Sequence, residues 1–341
     1  MKFLAVVCLV ALGFLISDVG AGRHGRGRRN GKGERPLGTA GDDCLSFYYY
    51  QKSCPQAEDL IAKLMADIVS KDPRVPARII RMHFHDCFVR GCDGSILLNS
   101  TSTNKAEKDA PPNNPSLQGF NVIDQIKQVL ESQCPNVVSC ADILTYAARE
   151  SVALVSTTYS SSRNSTNNFS KSEALQNLPP PSSNVSSLIQ KFASKGLSLE
   201  EMVTLSGGHS IGVSHCSSIS GRQVNFKNSG KPDPTLNSNL AASLRQQCGS
   251  VSTVDKIVVM DTFTPTVLDN KYYTGLLQNK GLFTSDQSLL TDIRTLREVR
   301  GNSAIPSTWE TKFVNGMTKM GEIQVLTGKQ GEVRRKCSLV N

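Results

Sequence analysis

Ten cysteines stand in this chain of 341 residues, and the segment holding the first of them decides what the others can become. Met1 and Lys2 lead into a near-continuous apolar run from Phe3 to Ile16, and Val19, Gly20 and Ala21 then offer a cleavage point. This is the layout of a secretory signal peptide over residues 1–21, and it falls short of the roughly 20 apolar residues that a membrane-spanning helix needs. The expectation is a secreted, extracellular protein without a membrane anchor, in a compartment where disulfides persist. Cys8 leaves with the leader, so nine cysteines remain and one must stay unpaired or bridge to another molecule. Cys44, just ahead of the folded region, is the candidate. Cys87 and Cys92 are only five residues apart and can close a small loop. Asn-x-Ser/Thr sequons at Asn99, Asn164, Asn168 and Asn184 suit the same route.

The net charge of +9 is unevenly spread. Residues 1–42 hold seven of the 38 basic and three of the 29 acidic residues, which leaves 31 against 26, or +5, for residues 43–341. Much of the local excess lies between Arg23 and Arg35, in a Gly/Arg-rich stretch without apolar periodicity, so residues 22–42 read as a flexible solvated arm. After secretion, its charge suits an acidic polysaccharide better than nucleic acid, and a spacer without a partner fits equally. The remaining 43–341 form one folded domain.

Within that domain the apolar pattern is helical. Leu60, Ile61, Leu64, Met65, Ile68 and Val69 recur at helical spacing, as do Val122, Ile123, Ile126, Val129 and Leu130. A third helix is expected to start at Ser139-Cys-Ala-Asp142 and a fourth at Ser198, whose spacing to Glu201 fits a capping box, with a stop at Gly207-Gly208. Period-two alternation is scarce, so the fold class is mainly α. Residues 156–172 are dominated by Ser, Thr and Asn and are expected to form an exposed loop.

The densest chemistry lies in Arg81-Met-His-Phe-His-Asp-Cys-Phe-Val-Arg-Gly-Cys-Asp-Gly-Ser95. On a helix, Arg81 and His85 share a face, where a base and a fixed positive charge can meet one bound molecule. Asp86 lies about 100° further round and needs a separate role. Asp93 and Ser95 follow across a tight glycine-containing loop, and such oxygen donors suit calcium.

This segment resembles the distal-haem motif of the secretory plant peroxidases, R-x-H-F-H-D-C-F-V-x-G-C-D-G-S, at every defined position. A second motif of that family, S-G-G-H followed by T or S, I or F, and G, is matched by Ser206-Gly-Gly-His-Ser-Ile-Gly212. The resemblance runs from about Leu45 to the C-terminus. It implies a two-lobed, all-helical fold with haem b between distal and proximal halves, and His209 as the iron ligand. It also implies that Arg81 and His85 act on hydrogen peroxide, with Asn113 and Glu107 behind the distal histidine and Asp286 accepting a hydrogen bond from the proximal one. Pro179 matches the position that helps seat a phenolic donor.

Two calcium ions are implied as well, one held by Asp86, Val89, Gly91, Asp93 and Ser95, the other by Ser210, Asp261, Thr264, Val267 and Asp269. The family's disulfides pair Cys54 with Cys134, Cys87 with Cys92, Cys140 with Cys337 and Cys216 with Cys248. The implied protein is a monomeric secreted enzyme of the cell wall or vacuole that removes hydrogen peroxide and oxidises phenols by one-electron steps, with lignin-type coupling as one use.

Two departures stand out. The family's G-G-P-x-W and G-R-R-D elements are missing where this chain has Val155 to Asn164, on the side of Pro179, and Met260 replaces a common aromatic neighbour of the proximal histidine. The first motivates an alternative: a catalytically impaired, peroxidase-like wall glycoprotein. A third possibility is a charge-binding protein acting through residues 23–35.

Overall fold

The computed structural model describes residue 45 and residues 48–155, 170–249 and 255–341. The leader, the basic arm, Cys44 and the sequons at Asn164 and Asn168 lie outside the described residues. Four helices come first: α1 (Ala57–Lys71), α2 (Val75–Cys87), α3 (Phe120–Gln133) and α4 (Cys140–Val155). Then follow α5 (Lys171–Asn177), α6 (Val185–Ser194), α7 (Leu199–Ser206), α8 (Ser220–Val224), α9 (Ser238–Cys248), α10 (Lys271–Leu277), α11 (Thr284–Ser288), α12 (Ile293–Ala304) and α13 (Pro306–Gly321). Two three-residue strands, β1 (Val213–His215) and β2 (Ile257–Val259), pair antiparallel with Val213 opposite Val259. The described residues are mainly helical, as the apolar spacing predicts. Among them, no helix is long and apolar enough to cross a membrane.

The helix starts follow local chemistry. The Ser139 hydroxyl accepts the Asp142 amide at 3.0 Å and opens α4, while Ser198 and Glu201 form a reciprocal capping box on α7. Asn184 caps α6 by accepting the Ser187 amide at 2.9 Å. Its exposed side chain also heads a sequon, and a glycan on its nitrogen would leave the accepting oxygen in place. The expectation of an irregular segment through residue 172 fails at its end, because α5 begins at Lys171 and buries Ala174.

Burial divides the interior into two large cores. Ile61 and Met65 of α1, Val122, Ile123 and Ile126 of α3, and Ile143 and Leu144 of α4 close the first. The second gathers Phe192 of α6, Met202 and Val203 of α7, Tyr272 and Tyr273 of α10, Val299 of α12, and Trp309 and Phe313 of α13. Helix α2 serves both, giving Ile79 and Met82 to the first core and Ile80 and Cys87 to the second. Its apolar residues therefore anchor it on two sides, which fixes the rotation of the residues between them. A smaller cluster unites Leu240 and Leu244 of α9 with Val258, Met260 and Leu282.

Four disulfides join Cys54 to Cys134, Cys87 to Cys92, Cys140 to Cys337 and Cys216 to Cys248. These are the pairs that the family resemblance implies.

Candidate active site

Helix α2 carries Arg81 and His85 one turn apart. His85 is 7% exposed, and its Nδ1 lies 2.6 Å from Asn113 Oδ1. Asn113 is fully buried and spends its amide nitrogen on the Glu107 carbonyl at 2.6 Å, so its oxygen must accept. The proton of neutral His85 therefore sits on Nδ1, and Nε2 keeps its lone pair. Burial, followed by the charge of Arg81, lowers the His85 pKa to about 3. The ring is thus a neutral base over the ordinary working range.

Arg81 is held by the loop on either side of Asn113. Its Nη1 donates to Ser116 O at 3.0 Å, and its Nη2 donates to Pro112 O at 3.0 Å and to Ser116 Oγ at 2.9 Å. These three bonds leave the Nε proton and one Nη1 proton for a ligand. Burial lowers its pKa to about 10, which keeps the charge at neutral pH. The two anchoring carbonyls and the hydroxyl were not foreseen from the sequence, where Pro112 and Ser116 carry no motif of their own.

Behind the base, His85, Asn113 and Glu107 are linked in sequence, and the atoms of the last link are specific. Asn113 is tied to the backbone carbonyl of Glu107, whereas the Glu107 carboxylate accepts from Ser95 Oγ at 3.1 Å and from the Ser170 amide at 3.4 Å. Glu107 therefore links two places at once, the asparagine through its main chain and the Asp86–Ser95 loop through its side chain. In that loop, Asp86 accepts the amides of Gly94 and Ile96, and Asp93 accepts that of Ser95. Asp86, Asp93 and Glu107 are 1%, 3% and 0% exposed. Burial raises all three pKa values, to about 8, 6 and 9, and neighbouring carboxylates add to the shift of Asp86 and Glu107. Three buried carboxylates with elevated pKa values are the donor chemistry of a cation site. The Val89 carbonyl accepts Lys195 Nζ at 2.9 Å, and that of Gly91 accepts the Asp93 amide.

The turn is pinned from the far end of the chain. Gly91 has φ +106°, and a Cβ there would lie 2.6 Å from Gln324 Cβ and 2.7 Å from the Ile323 carbonyl, so only glycine fits. Arg334, fully buried, donates to the Gly94 carbonyl at 2.7 Å.

On the other side, α7 runs into a tight turn over Gly207–Ser210 that presents His209. His209 Nδ1 lies 2.7 Å from Asp286 Oδ1, and the imidazole is still 43% exposed. Asp286 also accepts the Phe283 amide on Oδ2 at 2.9 Å and the Tyr272 hydroxyl on Oδ1 at 3.0 Å. Burial alone would raise this carboxyl, but His209 and these donors outweigh it and hold the pKa below its usual value. With Nδ1 committed to a buried carboxylate, Nε2 is left for a metal, which is the arrangement expected of an iron-ligating imidazole.

The rings that flank His209 are Tyr272 and Phe283, with centroids at 6.3 and 5.5 Å, while Met260 packs in the smaller cluster. Arg222 of α8 holds the approach to Asp286, pairing with Asp233 at 2.7 Å and donating to the carbonyls of Gly281, Leu282 and Phe283. Sequence reasoning missed Tyr272, Arg222 and Asp233, since no short-range pattern marks them. The second oxygen cluster is assembled next door. Thr264 Oγ1 lies 3.0 Å from both Asp261 Oδ2 and Asp269 Oδ1, and Ser210 Oγ lies 3.4 Å from Val267 O and 3.2 Å from the Asp269 amide. Pro179 is half-buried in the turn whose Pro181 carbonyl accepts the Ser285 amide, one residue before Asp286.

Among the described residues, one trio of His, Cys or carboxylate atoms converges within 4.8 Å, namely His83, Cys87 and Cys92, and the disulfide consumes both thiols. The two oxygen clusters are of another kind, mixing carboxylates with hydroxyls and carbonyls.

The peroxidase family profile matches residues 61–304. This chain belongs to the peroxidase family. It is similar to peroxidase 5 of Vitis vinifera, 48% identical over 301 residues that cover 87% of this chain and 92% of the relative. It is also similar to peroxidase 3 of Arabidopsis thaliana, at 45% with coverages of 87% and 92%, and to peroxidase C2 of Armoracia rusticana, at 44% with 87% and 88%. Identity of this order over nearly the whole folded region makes the enzyme a plant-type haem peroxidase acting on hydrogen peroxide. Nothing in the site favours the impaired alternative: Arg81, His85, His209 and Asp286 are each present with their hydrogen-bond partners.

Proposed function

We propose that this peroxidase is a secreted monomer that removes hydrogen peroxide and oxidises small phenols one electron at a time, with His209 binding haem b iron and calcium in both oxygen clusters. The observation that carries the reading is a pair of imidazoles with Nδ1 fixed by a partner in each. His85 has its proton fixed on Nδ1 and a bare Nε2, while His209 has Nδ1 bound by a carboxylate and Nε2 free for iron. Haem supplies the iron at which peroxide binds and the electrons that its reduction consumes.

The protein's own residues do the rest. His85 Nε2 takes a proton from peroxide and returns it to the departing oxygen, so one group acts as general base and then as general acid. The remaining protons of Arg81 face the negative charge that develops as the O–O bond breaks, and such preorganised charge is often the largest catalytic term. Asn113 keeps the imidazole in the needed tautomer. Asp286 raises the basicity of His209 and so favours oxidised iron. Phenolic donors bind on the side of Pro179. The leader over 1–21 directs export to the cell wall, and the Arg23–Arg35 stretch supplies retention on acidic polysaccharide; phenol coupling of the lignin type is consistent with that place.

The test is the visible spectrum of the calcium-replete protein before and after one equivalent of hydrogen peroxide, followed by a simple phenol. A haem band that shifts with peroxide and returns with the phenol is expected. A folded protein that takes up no haem would overturn the reading.

A further inference from the structure

The proximal carboxylate has a second partner that the peroxidase cycle does not use. Tyr272 is 4% exposed, and its hydroxyl donates to Asp286 Oδ1 at 3.0 Å, the same oxygen that faces His209 Nδ1. Its ring meets the His209 ring edge-on with centroids 6.3 Å apart. From there, oxidisable rings continue inward. Tyr272 lies 5.0 Å from Tyr273, and Tyr273 lies 6.0 Å from Trp309, the only tryptophan of the chain. These are contact distances for aromatic pairs.

We propose that Tyr272 is an internal one-electron donor to the peroxide-oxidised haem, with Asp286 as the base that takes its proton. This rests on the haem peroxidase reading above. In the step, one electron leaves the Tyr272 ring and reduces the oxidised haem by one equivalent, while the phenolic proton crosses to Asp286 Oδ1. The products are a neutral tyrosyl radical and a protonated carboxyl. An external phenol restores the tyrosine by giving up one electron and one proton, and Asp286 then releases the proton it held. The enzyme thereby holds one oxidising equivalent on the protein until a phenol reaches it.

The choice of Tyr272 over its neighbours follows from their acceptors. A phenol that loses an electron becomes a very strong acid, so oxidation is easy only where a base stands ready. Tyr273 is fully buried, and its hydroxyl lies 2.9 Å from the carbonyls of Val203 and Thr204, which are not bases. Trp309 Nε1 donates to the Thr204 carbonyl at 3.3 Å and is in the same position. Among these three rings, Tyr272 alone has a carboxylate on its hydroxyl, so the radical settles there.

The experiment uses the full-length, haem-loaded enzyme, first shown by its spectrum and phenol turnover to be a working peroxidase. It is mixed with one equivalent of hydrogen peroxide without donor, frozen and read by electron paramagnetic resonance. A tyrosyl signal is expected. A ring-fluorinated tyrosine placed at position 272 should add a fluorine splitting to it with almost no change in side-chain volume, and the same label at position 273 should leave the signal unchanged. Tyr272→Phe should abolish the signal, and Tyr273→Phe should retain it. An active, haem-loaded wild type without a tyrosyl signal would overturn the proposal, as would a splitting that appears only with labels elsewhere, for instance at the exposed Tyr48 or Tyr49. Absence of haem or of turnover would instead count against the parent reading.

Discussion

Burial and the neighbouring Arg81 charge keep His85 uncharged, and Asn113 decides which nitrogen is bare. A base with a pKa of about 3 is available at every pH above that value and is lost as pH falls through it. The rate constant for reaction with peroxide should therefore be flat from neutrality down to about pH 4 and fall below it, which stopped-flow measurement of the haem band would show. His85→Ala should slow that reaction by about 10²–10⁴-fold while leaving the haem absorption in place, because the lost group serves the oxygen rather than the iron. An unchanged rate constant would remove His85 from the proton transfer.

At the level of elements, the site depends on turns that tolerate little. A Cβ on Gly207 would sit 2.7 Å from the Tyr273 hydroxyl oxygen and 2.8 Å from two atoms of the Trp309 ring. Gly207→Ala should cost about 1–3 kcal/mol of stability by overpacking, measured as a lower midpoint in urea. The Arg222–Asp233 pair is almost completely buried, so Arg222→Met strands Asp233 and should cost about 3–5 kcal/mol by the same assay. What the sequence made legible was local: the one-turn spacing of Arg81 and His85, the Ser198–Glu201 box and the clustered oxygens of residues 261–269 all lie within a few residues of each other. The Arg222 clamp reaches carbonyls about 60 positions away, and His209 meets Asp286 across 77. The latter was foreseen through the family motif, whereas the clamp had no motif to announce it. For Glu107 the sequence names the residue behind Asn113 but not the atom, since spacing does not tell its carbonyl from its carboxylate.

For the whole molecule, if calcium occupies the proposed site, the buried carboxylates Asp86, Asp93 and Glu107 would couple stability to calcium and pH together. Without calcium, the raised pKa values mean that the folded state binds more protons than the unfolded chain, so stability falls as pH rises from the ordinary carboxyl range toward about 9. Chelated enzyme should therefore melt at a lower temperature at pH 8 than at pH 5, and added calcium should remove most of that difference. A calorimetric series in the presence of chelator and of calcium checks both. The Cys140–Cys337 bond spans 197 positions and ends three residues beyond Arg334, which grips the Gly94 carbonyl. Synthesis proceeds from the N-terminal side, so Cys54 can find Cys134 after 80 further residues, whereas Cys140 must wait for a partner 197 residues later. Completion of the distal loop is thereby tied to synthesis through residue 337, and a product terminated before Arg334 would lack both the covalent tie and the arginine.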